Sequence, residues 1–251
     1  NLSSAVDTLE TDGSFIVDGT VHATGVSDFN IDGNFTVDGT LDAPSAATMT
    51  VERDFDVRNG TFSSLPNVDI TFDGNTDDSN LYCNGTFPIE VDTAKTSPAG
   101  ELIIGSGCTV NLVDSVSTSG ELAVYGTLNP GSSISAYYLT VESGGSVSFD
   151  PADTLSLSGQ IDNNGSLILP NSPTFGAYRG AGTTTHPGTV WGGTGYINVE
   201  PGGTLNFENP TGTWSAPSSL DVEGTLNLSS AVDTLETDGS FIVDGTVHAT
   251  G

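Results

Sequence analysis

Apolar and polar residues alternate along this chain in short bursts, and the bursts superpose when the sequence is slid against itself so that position 15 meets position 35. LETDGSFIVDGTVHATG then falls on FNIDGNFTVDGTLDAPS, placing Phe15 over Phe35, Val17 over Val37 and Val21 over Leu41. Downstream, Phe55, Val57 and Phe62 enter the same columns after one insertion; upstream, Leu220, Val222 and Leu226 stand in the same relation to Phe241, Val243 and Val247. Further apolar bursts stand at Leu102–Ile104, Leu122–Val124, Leu139–Val141, Leu155–Leu157, Leu167–Leu169 and Ile197–Val199, at irregular spacing. A two-residue apolar period predicts strands with one buried face, and Gly-Thr or Gly-Ser pairs between the bursts predict turns. No segment has a helical period.

A coil of about 20 residues cannot bury a core alone, but stacking like columns builds one continuous core along an axis. The predicted fold is therefore all-β, a β-solenoid, most simply a parallel β-helix. Tandem β-sandwich domains are the alternative, disfavoured because they do not superpose consecutive strands at one fixed offset. A longer period encloses the short one: residues 1–25 recur letter for letter at 227–251. Residues 1–226 are then one tandem repeat of about 11 coils, and 227–251 open the next. At about 4.8 Å per coil the repeat should advance roughly 53 Å. Residues 171–196 break the pattern and read as an irregular loop, either a lateral or glycan contact with Tyr178 and Trp191 as anchors, or a segment folded back over the core.

The short Gly-Thr-Leu-x-Val phrases, such as Gly224-Thr-Leu-Asn-Leu228 and Gly203-Thr-Leu-Asn-Phe207, resemble β-helical repeat regions of large prokaryotic surface proteins of the adhesin and filament type. That resemblance implies an extracellular or cell-surface fibre and supplies no catalytic residues.

Charge narrows the partners. Only four basic residues face 32 acidic ones, a formal net charge of -28, which excludes nucleic acid and anionic membrane surfaces. No apolar run is long enough to span a bilayer. Stacking turns Asp18 and Asp38, and separately Asp12, Asp32 and Glu52, into carboxylate ladders, which either hold Ca²⁺ or stand as a solvated acidic flank. Arg58 ends one such column and is placed to neutralise Asp38. Asn-x-Ser/Thr sequons stand at Asn1, Asn34, Asn59, Asn84, Asn164 and Asn227, so the chain reads as a glycoprotein candidate. Cys83 and Cys108 are either a bridge between neighbouring coils or two buried thiols. Thr20, Thr40 and Thr61 form a hydroxyl ladder similar to those of ice-binding solenoids, but one Thr per coil is sparse and reads as turn packing.

Enzyme chemistry finds no footing here. Polyuronate cleavage needs Arg and Lys that the chain lacks, His22 and His186 stand in no nucleophile motif, and no Cys/His cluster has zinc spacing. The expected function is structural: a filament, stalk, adhesin shaft or sheath, whose partner is itself. Head-to-tail stacking would join Leu220, Val222 and Leu226 to the column of Phe15, Val17 and Val21, with lateral bundling as a second contact. A glycan-binding adhesin module and a β-helical polysaccharide hydrolase are the alternatives.

Overall fold

In a computed structural model, residues 6–42, 47–62, 69–73, 79–83, 89–95, 101–188, 191, 194–208, 212–216, 218–229 and 232–249 are described. All paired strands among them run parallel, and none of these residues is helical. A regular coil carries three short strands, so the rod has three faces. The first face is one unbroken twelve-stranded sheet, from Phe15–Val17, Phe35–Val37 and Phe55–Asp56 through to Ser219–Val222 and Ser240–Val243. Its last strand is the copy of its first. This is a parallel β-solenoid.

The columns seen in the sequence are hydrogen-bonded neighbours. Phe15 pairs with Phe35, Val21 with Leu41 and Leu41 with Phe62. Inside, the rings of Phe15, Phe35 and Phe55 stack with centroids 5.9 and 5.0 Å apart. Outward residues of the same strands, such as Ile16 and Thr36, alternate with them. The bursts that looked irregular belong to different faces: Leu139–Val141 to the first; Leu167 to the second, which runs from Thr127–Pro130 through Ser146–Ser148 to Thr246–Ala249; Leu155 and Leu157 to the third, where Ser133–Ala136 pairs with Thr154–Leu157.

The Gly-Thr and Gly-Ser pairs have a physical reason other than turn geometry. Left-handed φ occurs only at Gly107, Gly144 and Gly202 among the described residues. At Gly126 a Cβ would lie 2.5 Å from the carbonyl oxygens of Cys108 and Gly105, and Gly39, Gly165, Gly224 and Gly245 would collide likewise with the preceding coil. These glycines let one corner of each coil sit directly on the last. The hydroxyl that follows builds a longer ladder than Thr20, Thr40 and Thr61 alone. Thr109, Thr127, Ser146, Ser166, Thr183, Thr204, Thr225 and Thr246 are successive partners along the second face.

The stacking has one seam. Phe55 pairs with Phe35 on one side and with Leu81 on the other. Leu81 leads through Ile104, Val124 and Val141 to Val199, Val222 and Val243. A column entered at Phe15 thus leaves at the copy of Val17, two positions further on. An even shift keeps every inward side chain inward. Near the same coils the strands Ile89–Lys95 and Thr109–Ser117 run across the corner between the second and third faces, with register breaks at Ile70/Thr71 and Val91/Thr93. The Cys83–Cys108 disulfide, Cα–Cα 4.8 Å, ties two neighbouring coils there.

Candidate functional site

Two surfaces carry candidate chemistry: the open ends of the core and the outer side of the first face.

At the ends, identical residues occur in two environments. In the first coil Val17 is covered by the next coil and is 2% exposed, while its copy Val243 is 43% exposed; Phe241 is 45% exposed. On its other side the last coil is fully engaged, with Phe241 opposite Leu220, Val243 opposite Val222 and Val247 opposite Leu226. What covers one side of this coil in the first copy is missing in the second, and the reverse.

On the first face a cleft of about 320 Å³ opens between two outward columns. Its floor holds Thr140, Asp162 and Arg179, successive partners across three strands. One wall is Glu121; outside the cleft, along the same strand column, stand its partner Tyr138, then Gln160 and Tyr196, whose hydroxyl donates to Gln160 Oε1 at 3.0 Å. The other wall holds Glu142, Asn164 and Glu200. Arg179 Nε donates to Glu200 Oε1 at 2.6 Å, and this hydrogen bond and charge push the guanidinium pKa up. Thr140 donates to the Glu121 carboxylate, and Gln160 Nε2 to Asp162 Oδ2 at 2.7 Å. Oδ1 of Asp162, and of Asn198 and Asp221 further along the floor column, is shielded from solvent and accepts no hydrogen bond. Tyr125, Tyr137, Tyr138 and Tyr196 are all exposed on or beside this face. Partial burial, then the Glu142, Glu101 and Glu121 carboxylates, raise the Tyr125 phenol pKa. Sequence reasoning missed this cleft. Its signal was available: Glu121, Thr140 and Asp162 each stand beside an inward residue, Leu122, Leu139 or Ile161, and so face outward.

Other expected sites are distributed differently. Asp12, Asp18, Asp32 and Asp38 are all exposed, and no group of three or more His, Cys, Asp or Glu among the described residues is arranged to hold a metal ion. Asp38 accepts from Asn59 Nδ2 at 3.0 Å. Arg58 does not turn to Asp38 as its main partner: it pairs with Asp56 at 2.6 Å and lies 4.2 Å from the centre of the Tyr82 ring. Burial works against the Asp56 carboxylate, but the Arg58 hydrogen bonds and charge outweigh it and hold its pKa below the usual range. His22 is exposed and its Nδ1 lies 2.6 Å from Asp42 Oδ2.

The sequons also separate. Asn59 and Asn164 are exposed. Asn34 accepts from the Asp54 amide at 3.4 Å, and Asn227 Nδ2 donates to Asn206 Oδ1 at 2.7 Å, so both belong to contacts between stacked coils. Asn1 and Asn84 lie outside the described residues.

Residues 171–196 require a correction. Tyr178 and Trp191 are not outward anchors: Tyr178 is wholly buried on the inner side of strand Ala177–Gly180, and Trp191 is 8% exposed. Trp191 packs against Phe175, His186 and Phe207 with centroids 4.9, 5.6 and 5.1 Å away. The segment is a coil whose interior is partly polar. Tyr178 Oη and Thr184 Oγ1 are 2.8 Å apart, and Asn163 Nδ2 donates to Thr184 Oγ1 at 2.7 Å. Burial, only partly offset by hydrogen bonding, leaves the Tyr178 phenol pKa pushed up to about 12.

No protein-family model, no curated protein and no solved structure matches this chain.

Proposed function

We propose that this chain is a tandem unit of an extracellular structural filament, shaft or sheath, built by stacking β-coils end to end. One observation carries the reading: the segment shared by 1–25 and 227–251 forms a coil open on one side at one end of the chain and on the opposite side at the other. Superposing the two copies covers both sides, so the apolar surface left at Phe241 and Val243 has its complement in the chain itself. A contact between unlike ends does not close into a ring and propagates. The charge distribution supports lateral bundling too. Outward positions of the second-face strands from Thr127–Pro130 to Thr246–Ala249 carry Thr, Ser, Asn, Ile and His but no carboxylate, so like-charged rods meet there with least repulsion.

Sedimentation of a unit ending at residue 226, which leaves Leu220, Val222 and Leu226 without the coil that covers them in the longer chain, tests the reading at micromolar concentration. Head-to-tail polymers are expected through stacking of those residues on the Phe15, Val17 and Val21 column, together with their loss in Val222→Asp, which charges a side chain left open at that end. A 226-residue unit that stays a folded monomer across that range overturns it.

A further inference from the structure

We propose that the corner between the first face and the strand that follows it is the glycan-bearing edge of the rod, with N-linked sugar on Asn59 and Asn164 and none on Asn34 or Asn227. The proposal rests on the extracellular reading above.

All four are Asn-x-Ser/Thr sequons, and the fold divides them by what stands in the middle. In Asn59-Gly-Thr61 and Asn164-Gly-Ser166 the acceptor and the hydroxyl residue are both exposed, with a glycine between them. The chain turns there, between Phe55–Asp56 and Thr61–Phe62 in one coil and between Gln160–Asn163 and Ser166–Ile168 in the other. A transferring enzyme meets such a corner from solvent. In Asn34-Phe-Thr36 and Asn227-Leu-Ser229 the middle residue belongs to the core: Phe35 is fully buried and Leu228 is 4% exposed. Ser229 Oγ is shielded from solvent, and the Asn34 carboxamide accepts from the Asp54 amide of the next coil. Access to either acceptor requires a coil to open first.

The charge pattern of the corner points the same way. The residue that follows the first-face strand donates its backbone amide to the coil beneath; at Asp38, Glu142, Glu200, Glu223 and Asp244 it is a carboxylate, at Asn164 a neutral amide. Among the described residues the Asn164 carboxamide has no hydrogen-bond partner. A glycan, bulky and solubilising, supplies there the hydration that a carboxylate gives the neighbouring coils. Asn59 Nδ2 donates to Asp38 Oδ1 at 3.0 Å, but the nitrogen carries two hydrogens and the transfer consumes one. The donor is a lipid-pyrophosphate-linked oligosaccharide. A bond forms from Nδ2 to the anomeric carbon and the bond from that carbon to the pyrophosphate breaks; the lipid pyrophosphate leaves with the electron pair and Nδ2 gives up one hydrogen as a proton.

The test offers the whole folded chain to an oligosaccharyltransferase that modifies a free Asn-Gly-Ser peptide, with such a donor, and reads each sequon by mass spectrometry of intact glycopeptides. Asn59 and Asn164 are expected to carry the glycan, and Asn34 and Asn227 to lag by roughly tenfold or more because local opening must precede transfer. Ser166→Ala, which keeps Asn164, should empty that site, and Ser166→Thr should refill it. In excised peptides the difference among the four should vanish. A bare Asn164, deamidation without glycan at the Asn-Gly pairs, equal occupancy of Asn34 or Asn227, or the same ranking in excised peptides overturns the proposal. A 226-residue unit that polymerises while Asn164 stays bare fails this proposal alone and leaves the filament reading standing.

Discussion

Phe35 lies directly over Phe55, ring centroids 5.0 Å apart and planes 21° from parallel, with neither side chain exposed. The pair belongs to successive coils, so their contact is a stacking contact. Phe35→Ala should cost about 3–5 kcal/mol through lost burial and the cavity left behind. Thr36→Ala, the next residue and facing outward, should change stability by no more than about 0.5 kcal/mol. Thermal unfolding of the two variants checks this; equal costs would mean that the inner and outer faces are misassigned.

Two glycines should fail for different reasons. Gly126→Ala forces a methyl group against two carbonyl oxygens of the coil beneath, and overpacking of that kind costs about 1–3 kcal/mol. Gly144→Ala meets no atom within 4 Å but must hold φ at 88°, a strain of about 1–2 kcal/mol. Only the first should be relieved by lengthening the spacing between coils, so hydrogen exchange should quicken in both coils flanking Gly126 and stay local around Gly144.

Alkaline stability reports the buried polar coil. The Tyr178 phenol, normally titrating near 10, is pushed up to about 12, so between these values the folded chain holds a proton that the unfolded chain has lost. Stability from this group is constant below pH 10 and falls as pH rises toward 12. A shift of that size corresponds to roughly 3 kcal/mol. In Tyr178→Phe the decline over that window should be shallower by a similar amount; identical slopes would mean that the phenol is solvated.

Opening the disulfide should weaken the seam. Closing a loop of this length stabilises by about 3–4 kcal/mol in the chain-entropy estimate, so reduction, or Cys83→Ser with Cys108→Ser, should lower the melting temperature. The loss should be concentrated in the coils around Leu81 and Ile104, read as faster hydrogen exchange there than at Leu205.

Salt should matter more than the identity of the cation. Asp12, Asp18, Asp32 and Asp38 are exposed and stand in single rows, where screening relieves repulsion without a bound ion. NaCl and CaCl₂ at equal ionic strength should raise the melting temperature alike. A larger effect of Ca²⁺, abolished in Asp18→Asn with Asp38→Asn, would show ligation instead.

Much of this fold was legible because a solenoid writes its core as a repeated column. Phe15, Phe35 and Phe55 share a chemistry and a spacing, and nothing but stacking explains both. The segment around Tyr178 was illegible for the opposite reason. Its interior replaces apolar residues with Asn163, Tyr178 and Thr184, which satisfy one another, and a polar core strand has no alternation to detect. The first-face cleft was hidden because its residues come from coils whose separations vary with each loop, so Thr140, Asp162 and Arg179, though stacked partners, share no fixed period. The disulfide was half legible: the separation of Cys83 from Cys108 is near one coil, but only the folded path brings their Cα atoms within bridging distance.

The seam has a mechanical meaning. The coils beyond it are backed by uninterrupted ladders on the first face, whereas the coils around the seam contain the column shift and two of the three register breaks among the described strands, the third standing at Gly212/Thr213. In a covalent array such a weak point recurs once per repeat, so a rod pulled along its axis parts at intervals instead of at random. Each rupture lengthens the fibre by one repeat, roughly 770 Å of extended chain less the folded length. While Cys83 and Cys108 remain joined, the residues between them are withheld from that extension. A fibre of the kind proposed would therefore yield in discrete increments, with the redox state of the Cys83–Cys108 bond setting their size.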